Sequence, residues 1–187
     1  ESTGWVNDEN GDTALRLSGD AKATINFMPF KSDARTTGRT IEMEFAIRDV
    51  NNREAVAISC LSGGIGFTVT ADTAKLTSEQ TTISCNYTDE EKIRVTFVIE
   101  PKSEYRMMSV YLNGVLSGVK QYPENDNMQQ NPTVNITVGS PYCSVDLYAI
   151  RSYNVALTAI EARDNYIADI ADVSEKLATY EDNNIYD

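Results

Sequence analysis

Histidine is missing altogether from the 187 residues. That removes Ser-His and Cys-His nucleophile systems, histidine general bases and nearly every transition-metal catalytic centre, so an enzyme here would have to run on carboxylates, lysine, tyrosine or hard cations. Cysteine is scarce: Cys60, Cys85 and Cys143, with no CxxC spacing among them. An odd count cannot close a full disulfide framework. One bridge plus a free thiol is one arrangement; buried thiols serving as small apolar residues, in a protein folded in a reducing cytosol or taken from an anaerobe, is the favoured one. No stretch approaches the ~20 apolar residues of a membrane span, and no charged-then-apolar leader opens the chain, so membrane insertion is not expected. Basic charge is thin: 16 Lys and Arg, scattered along the chain, face 28 acidic residues for a net charge of −12. A phosphate backbone or an anionic membrane would be repelled, which excludes nucleic acid as the expected partner. The acidity reads as a soluble surface rather than a cation trap. An initiator Met is also lacking, which suggests a fragment of a longer polypeptide.

What the sequence does have is alternation. From about residue 13 to residue 153 apolar residues recur at period two, the pattern of strands with one face on a core and the other in water. Ile41, Met43, Phe45 and Ile47 share one side of "TIEMEFAIRD", with Glu42, Glu44 and Arg48 opposite. Ile93, Val95, Phe97 and Ile99 do the same in "IRVTFVIE". Further strands are expected at "ALRLS", "ATINF", "AVAISCL", "GFTVTA", "TTISCNY", "MSVYLN", "VNITVG" and "VDLYAIRSY", separated by turn-forming residues. Asn113-Gly114, between "VYL" and "VLSGV", is a type I′ hairpin signal, because that turn needs positive φ at both central positions. Ten or so short strands with no helix among them predict an all-β, two-sheet sandwich. The long polar connection "YPENDNMQQNP", 122 to 132, is expected to cross one end of it.

From Leu157 the period becomes helical. Thr158 and Glu161 form a T-x-x-E capping box. Ile160, Tyr166, Ile167, Ile170, Val173, Leu177 and Tyr180 then recur at three- and four-residue spacing as an apolar stripe, so the helix is expected to reach about Glu181. The implied division is a β-sandwich over 1–157 followed by a helix and linker tail over 158–187.

The order "GDTALRLSGDAKATINF", "VYLNGV", "VNITVGS", "VDLYAIRSYNVALTAIEARDNY" resembles the laminin-G-like branch of the concanavalin A-like lectin and glucanase superfamily. Its ending is similar to that branch's I-R-x-Y-N-x-x-L-T-x-x-E-x-x-x-N-Y, matched by Ile150, Arg151, Tyr153, Asn154, Leu157, Thr158, Glu161, Asn165 and Tyr166. "TTGRTIEMEFAIRDV" and "GVLSGVKQYP" further resemble such domains in tailed-phage structural proteins and in Gram-positive surface proteins. The resemblance implies a jelly-roll sandwich located in a virion or at an extracellular or cell surface. Its ligand would be a glycan or a host-surface protein, with virion neighbours as possible partners and often a structural calcium ion. Arg151, Tyr153 and Asn165 read as structural fasteners.

Glycan recognition needs flat aromatic surface for the apolar face of a sugar ring, with amides and carboxylates for its hydroxyls. Tyr142 after the "GSP" turn and Tyr105 beside Arg106 are the leading candidates, followed by Tyr87 and Tyr122; Trp5 is a further candidate, with a plug on the edge of the first strand, which it precedes, as its alternative role. Calcium asks for several oxygens from a tight loop. "NDENGD" offers Asn7, Asp8, Asn10 and Asp12 around Gly11 but lacks a closing bidentate Glu, so a plain turn into the first strand is the alternative; "PENDN", 123 to 127, is a second oxygen-rich loop. Glycoside hydrolysis would need paired acids, and Glu42 and Glu44 lie two apart on a strand. The sequence shows E-M-E where the superfamily's glucanases resemble E-x-D-x-E, so two solvated strand carboxylates, and no enzyme, is the expectation.

Overall fold

A computed structural model of the chain describes residues 3–27, 38–62, 65–78, 81–88, 92–123 and 134–170. Over these residues the chain forms strands β1 (Gly4–Asn7), β2 (Thr13–Leu17), β3 (Ala23–Phe27), β4 (Arg39–Arg48), β5 (Ile58–Ser62), β6 (Ile65–Val69) and β7 (Thr73–Ser78). It continues with β8 (Thr82–Asn86), β9 (Ile93–Pro101), β10 (Tyr105–Leu112), β11 (Val115–Pro123), β12 (Val134–Val138) and β13 (Ser144–Tyr153), and then one helix, α1 (Ala159–Ile170). The strands make two antiparallel sheets: a long one in the order β1-β2-β13-β4-β9-β10-β11, and a short one in the order β3-β12-β5-β6-β7-β8. The result is the expected jelly-roll sandwich with a C-terminal helix.

Alternation sets what lies between the sheets. Met43, Phe45, Ile47, Val95, Phe97, Met108 and Val110 from the long sheet meet Ile58, Phe67, Val69, Leu76, Ile136 and Val138 from the short one. Phe67 and Phe97 stack across the gap with centroids 4.9 Å apart. Each such ring contributes roughly 1.5–3 kcal/mol through burial. Cys60, Cys85 and Cys143 are free and buried. Burial pushes the Cys60 thiol up to about 11, so it behaves as a small apolar residue.

The Asn113-Gly114 turn has positive φ at both positions, 50° and 74°, and joins β10 to β11 as the sequence predicts. Thr158 caps α1: its hydroxyl accepts the Glu161 amide at 3.2 Å, and the Glu161 carboxylate accepts the Thr158 amide at 2.8 Å. Three expectations need correction. Trp5 lies inside a strand, opposite Leu15, and is 76% exposed, so it plugs nothing. The strand over Thr73–Ser78 was not anticipated, because only Ala74 and Leu76 carry its inward face. The helix buries only part of the predicted stripe: Tyr166 is partly buried, beside a fully buried Ala162 and a partly buried Asn165, while Ile160 and Ile167 stand exposed. The connection from residue 124 onward, most of "PENDN" and the tail from 171 onward lie outside the described residues.

α1 lies across the outer face of the long sheet rather than along an edge. Ala162 packs on Val98 and Tyr111, and the backbone of Gly114 approaches so closely that an added Cβ would stand 2.9 Å from the Arg163 Cα. This cover explains why the middle strands β4 and β9 are buried on both faces.

Candidate functional site

Among the described residues, two of the places that gather polar side chains are the face beneath α1 and a pocket at one end of the sandwich. Beneath the helix, Glu42 is 1% exposed and accepts hydrogen bonds from Tyr153 Oη at 2.8 Å, Thr96 Oγ1 at 3.3 Å and Asn165 Nδ2 at 3.4 Å. Arg94, also buried, donates to Glu44 at 2.5 Å, to the Asn165 carbonyl at 2.8 Å and to the Asp169 carboxylate. Arg151 pairs with Asp169 at 2.8 Å, and Lys92 with Glu44 at 3.2 Å. Burial works against the charge on Arg94, but Glu44 and Asp169 more than offset it and hold its pKa above the ordinary value. Burial, and then the Glu42 carboxylate, push the Tyr153 hydroxyl up to about 12, so it stays a donor.

These contacts correct the picture of two solvated carboxylates. Glu42 is enclosed and Glu44 is neutralised by two cations, so neither is presented to a substrate as an acid or nucleophile. The residues read as fasteners, Arg151, Tyr153 and Asn165, all lie in this network.

The pocket lies elsewhere. The segment between β12 and β13 and the segment between β4 and β5 are tied together where the Asn51 amide donates to the Tyr142 carbonyl at 2.8 Å and the Gly139 amide to the Ala57 carbonyl at 2.9 Å. Gly139 has φ 116°, and a Cβ there would stand 2.3 Å from the Ala21 carbonyl oxygen, so only glycine lets the chain pass. The result is an open cavity of about 530 Å³ lined by Lys22, Asn52, Glu54, Val56, Ser140 and Tyr142, among others. The Tyr142 amide donates to Ser140 Oγ at 3.3 Å and its carbonyl accepts from Asn51, so the backbone is held on both sides of the side chain of a residue that is 49% exposed. Tyr142, Asn52, Glu54 and Lys22 thus line one cavity, and their side-chain types suit hydroxyl-rich ligands.

The other candidates do not join it. Tyr105 is half-buried at the start of β10, beside the end of β9 that pairs with the start of β4; Tyr142 precedes Ser144, which pairs with Arg48 at the end of β4. The two tyrosines are therefore separated by about the length of β4, roughly 30 Å at ~3.3 Å per residue. Arg106 is 1% and Tyr122 2% exposed; register places them opposite each other, and both side chains belong to the interior rather than to a ligand surface. Tyr87 packs edge-on against Phe45, 6.1 Å between centroids, and its hydroxyl donates to the Thr70 carbonyl, so it serves the core. Sequence reasoning missed Lys22, Asn52 and Glu54. The one signal available was the Asx pattern in "NNRE", where Asn52 Oδ1 accepts the Glu54 amide at 3.0 Å.

The "NDENGD" loop connects β1 to β2. Asp8 Oδ1 accepts the amides of Asn10 and Asp12, each at 2.9 Å, Asn7 Oδ1 accepts from Thr13 at 3.0 Å, and Asp12 pairs with Lys92. Burial opposes ionisation of Asp8, but the two amides, Tyr148 and Lys92 together lower its pKa. Asp8 Oδ1 and Asn7 Oδ1 thus serve the turn itself, and Asp12 faces an ammonium. No group of three or more acidic, cysteine or histidine side chains placed to hold a metal ion occurs among the described residues.

No protein-family model matches the sequence, and no curated protein matches it either. Solved structures do. The binding domain of botulinum neurotoxin serotype G aligns with a TM-score of 0.64 at 14% identity, over 90% of this chain and 46% of that one. The botulinum neurotoxin DC binding domain in complex with SialylT aligns at 0.62 and 13% identity, over 89% and 45%. The same domain in complex with rat synaptotagmin II aligns at 0.61 and 14% identity, again over 89% and 45%. The chain spans just under half the length of these structures. At such identities the likeness is one of fold.

Proposed function

We propose that this chain is a non-catalytic recognition module that binds cell-surface or mucosal glycan in the pocket at Tyr142. The observation that carries the reading is the joining of an outward tyrosine, held through its own backbone, to Asn52, Glu54 and Lys22 in one open cavity. A similar fold was solved in complex with SialylT, and the resemblance of "TTGRTIEMEFAIRDV" and "GVLSGVKQYP" to laminin-G-like domains of phage and Gram-positive surface proteins is the support for a parent of that kind. A glycan array tests it. Binding should appear on a defined subset of glycans and fall about tenfold or more in Tyr142→Ala, with folding unchanged by circular dichroism. A blank array from folded protein would overturn the reading.

A protein partner is the second reading. Ile160 and Ile167 on α1 stand exposed, as do Leu116 and Val119 on β11, and a similar fold was solved with synaptotagmin II. It would prevail if glycans fail while Ile160→Ser with Ile167→Ser abolishes association with a neighbouring subunit of the parent assembly.

A further inference from the structure

The pocket's hydrogen-bonding inventory bears on which glycans enter it, given the glycan reading on which this inference rests. Four of the amides among the lining residues are spent within the fold. Glu54 N donates to Asn52 Oδ1 at 3.0 Å, Ala55 N to the Asn52 carbonyl at 3.3 Å, Gly139 N to the Ala57 carbonyl at 2.9 Å and Tyr142 N to Ser140 Oγ at 3.3 Å. These four are thereby withdrawn from any converging set of backbone N–H groups of the kind that binds carboxylate or phosphate. Among the described residues, the charged ones lining it are Lys22, an ammonium, and Glu54, a carboxylate. Lys22 is exposed and strongly hydrated, so it holds an anion weakly, whereas Glu54 repels one and the whole chain carries −12. A hydroxyl meets the opposite situation: Glu54 supplies two acceptor oxygens, which suit adjacent sugar hydroxyls, and Asn52 Nδ2 can donate back.

We infer that the site selects neutral hexoses, with the C–H face of the ring on Tyr142 and neighbouring hydroxyls donated to Glu54, and that it disfavours the same glycans carrying a sialic or uronic acid carboxylate. The test measures affinity of the full chain for matched pairs of oligosaccharides, one ending in a neutral hexose and the other capped with an acidic sugar. The neutral member should bind at least about tenfold tighter. Glu54→Gln should weaken it about tenfold, a larger loss than Lys22→Ala causes. Both positions are exposed, and unchanged melting curves would show that the variants fold. Tighter binding of the capped member, lost in Lys22→Ala, would overturn this selectivity while leaving the glycan reading standing. Neutral binding untouched by Glu54→Gln would also overturn it, and binding of neither member would overturn both.

Discussion

Asp146 lies almost wholly out of water on the outer face of the long sheet. It accepts two hydrogen bonds from Arg16, both at 2.6 Å, and one from Arg48 at 3.1 Å. Burial opposes its ionisation, but Arg16 and then Arg48 more than offset that cost and hold the carboxyl below its ordinary range. A carboxylate with a folded-state pKa below the unfolded value, about 3.9, contributes stability that is complete above that value and is lost as pH falls through the folded-state one. Asp146→Asn should therefore cost about 3 kcal/mol at pH 7, because two arginines lose their counter-charge. The gap from the parent should narrow as pH drops below about 4. Urea unfolding at pH 7 and pH 3 checks this, and a gap of equal size at both would reject the ion-pair account. The candidate-site residues were only partly legible at this scale. Tyr142 stood out because a Gly-Ser-Pro turn precedes it. Arg106 and Tyr122 were misplaced because their positions near strand ends suggested loops, although Arg106 shares its side of the strand with Met108 and Val110. Asn52 and Glu54 carry no aromatic signal, and only the tertiary tie between two loops brings them to Tyr142.

For the elements, the chief finding is the polar seating of α1. Its capping box and start were readable from Thr158 and Glu161 because a cap is a local matter settled within one turn. Its orientation was not, since amphipathic reasoning assumes an apolar floor, whereas the floor here carries Glu42, Arg94 and Thr96. The helix answers with Asn165 and Asp169 and turns Ile160 and Ile167 away. Strands β4 and β9 were legible for the opposite reason, since their inward faces are unbroken runs of large apolar residues. Arg94→Ala should detach the helix selectively, because it removes the buried cation that Glu44, Asp169 and the Asn165 carbonyl share. Amide exchange over Ala162–Asp169 should speed by roughly a hundredfold while exchange in β9 changes far less. Equal acceleration in both would show that helix and sandwich open as one unit.

For the molecule as a whole, stability rests on the contact between sheets, most directly at Phe67 and Phe97. Phe97→Ala should cost about 3–5 kcal/mol by leaving a cavity between the sheets, and Phe97→Leu should cost less. The midpoint of denaturant unfolding reports the difference, and equal costs would argue against packing as the cause. The two-sheet class could be read from alternation alone, but the strand order could not, because β13 pairs with β2 and β4 across more than ninety residues of sequence. Trp5 has a consequence for how such unfolding is followed. It is the molecule's single tryptophan and stands in water on an edge strand in the native state. Its fluorescence is therefore already that of a hydrated indole, and loss of the core alters its surroundings little. Emission from Trp5 reports on the outermost strand, whereas the state of the interior is carried by the near-ultraviolet dichroism of buried rings such as Tyr111 and Tyr122.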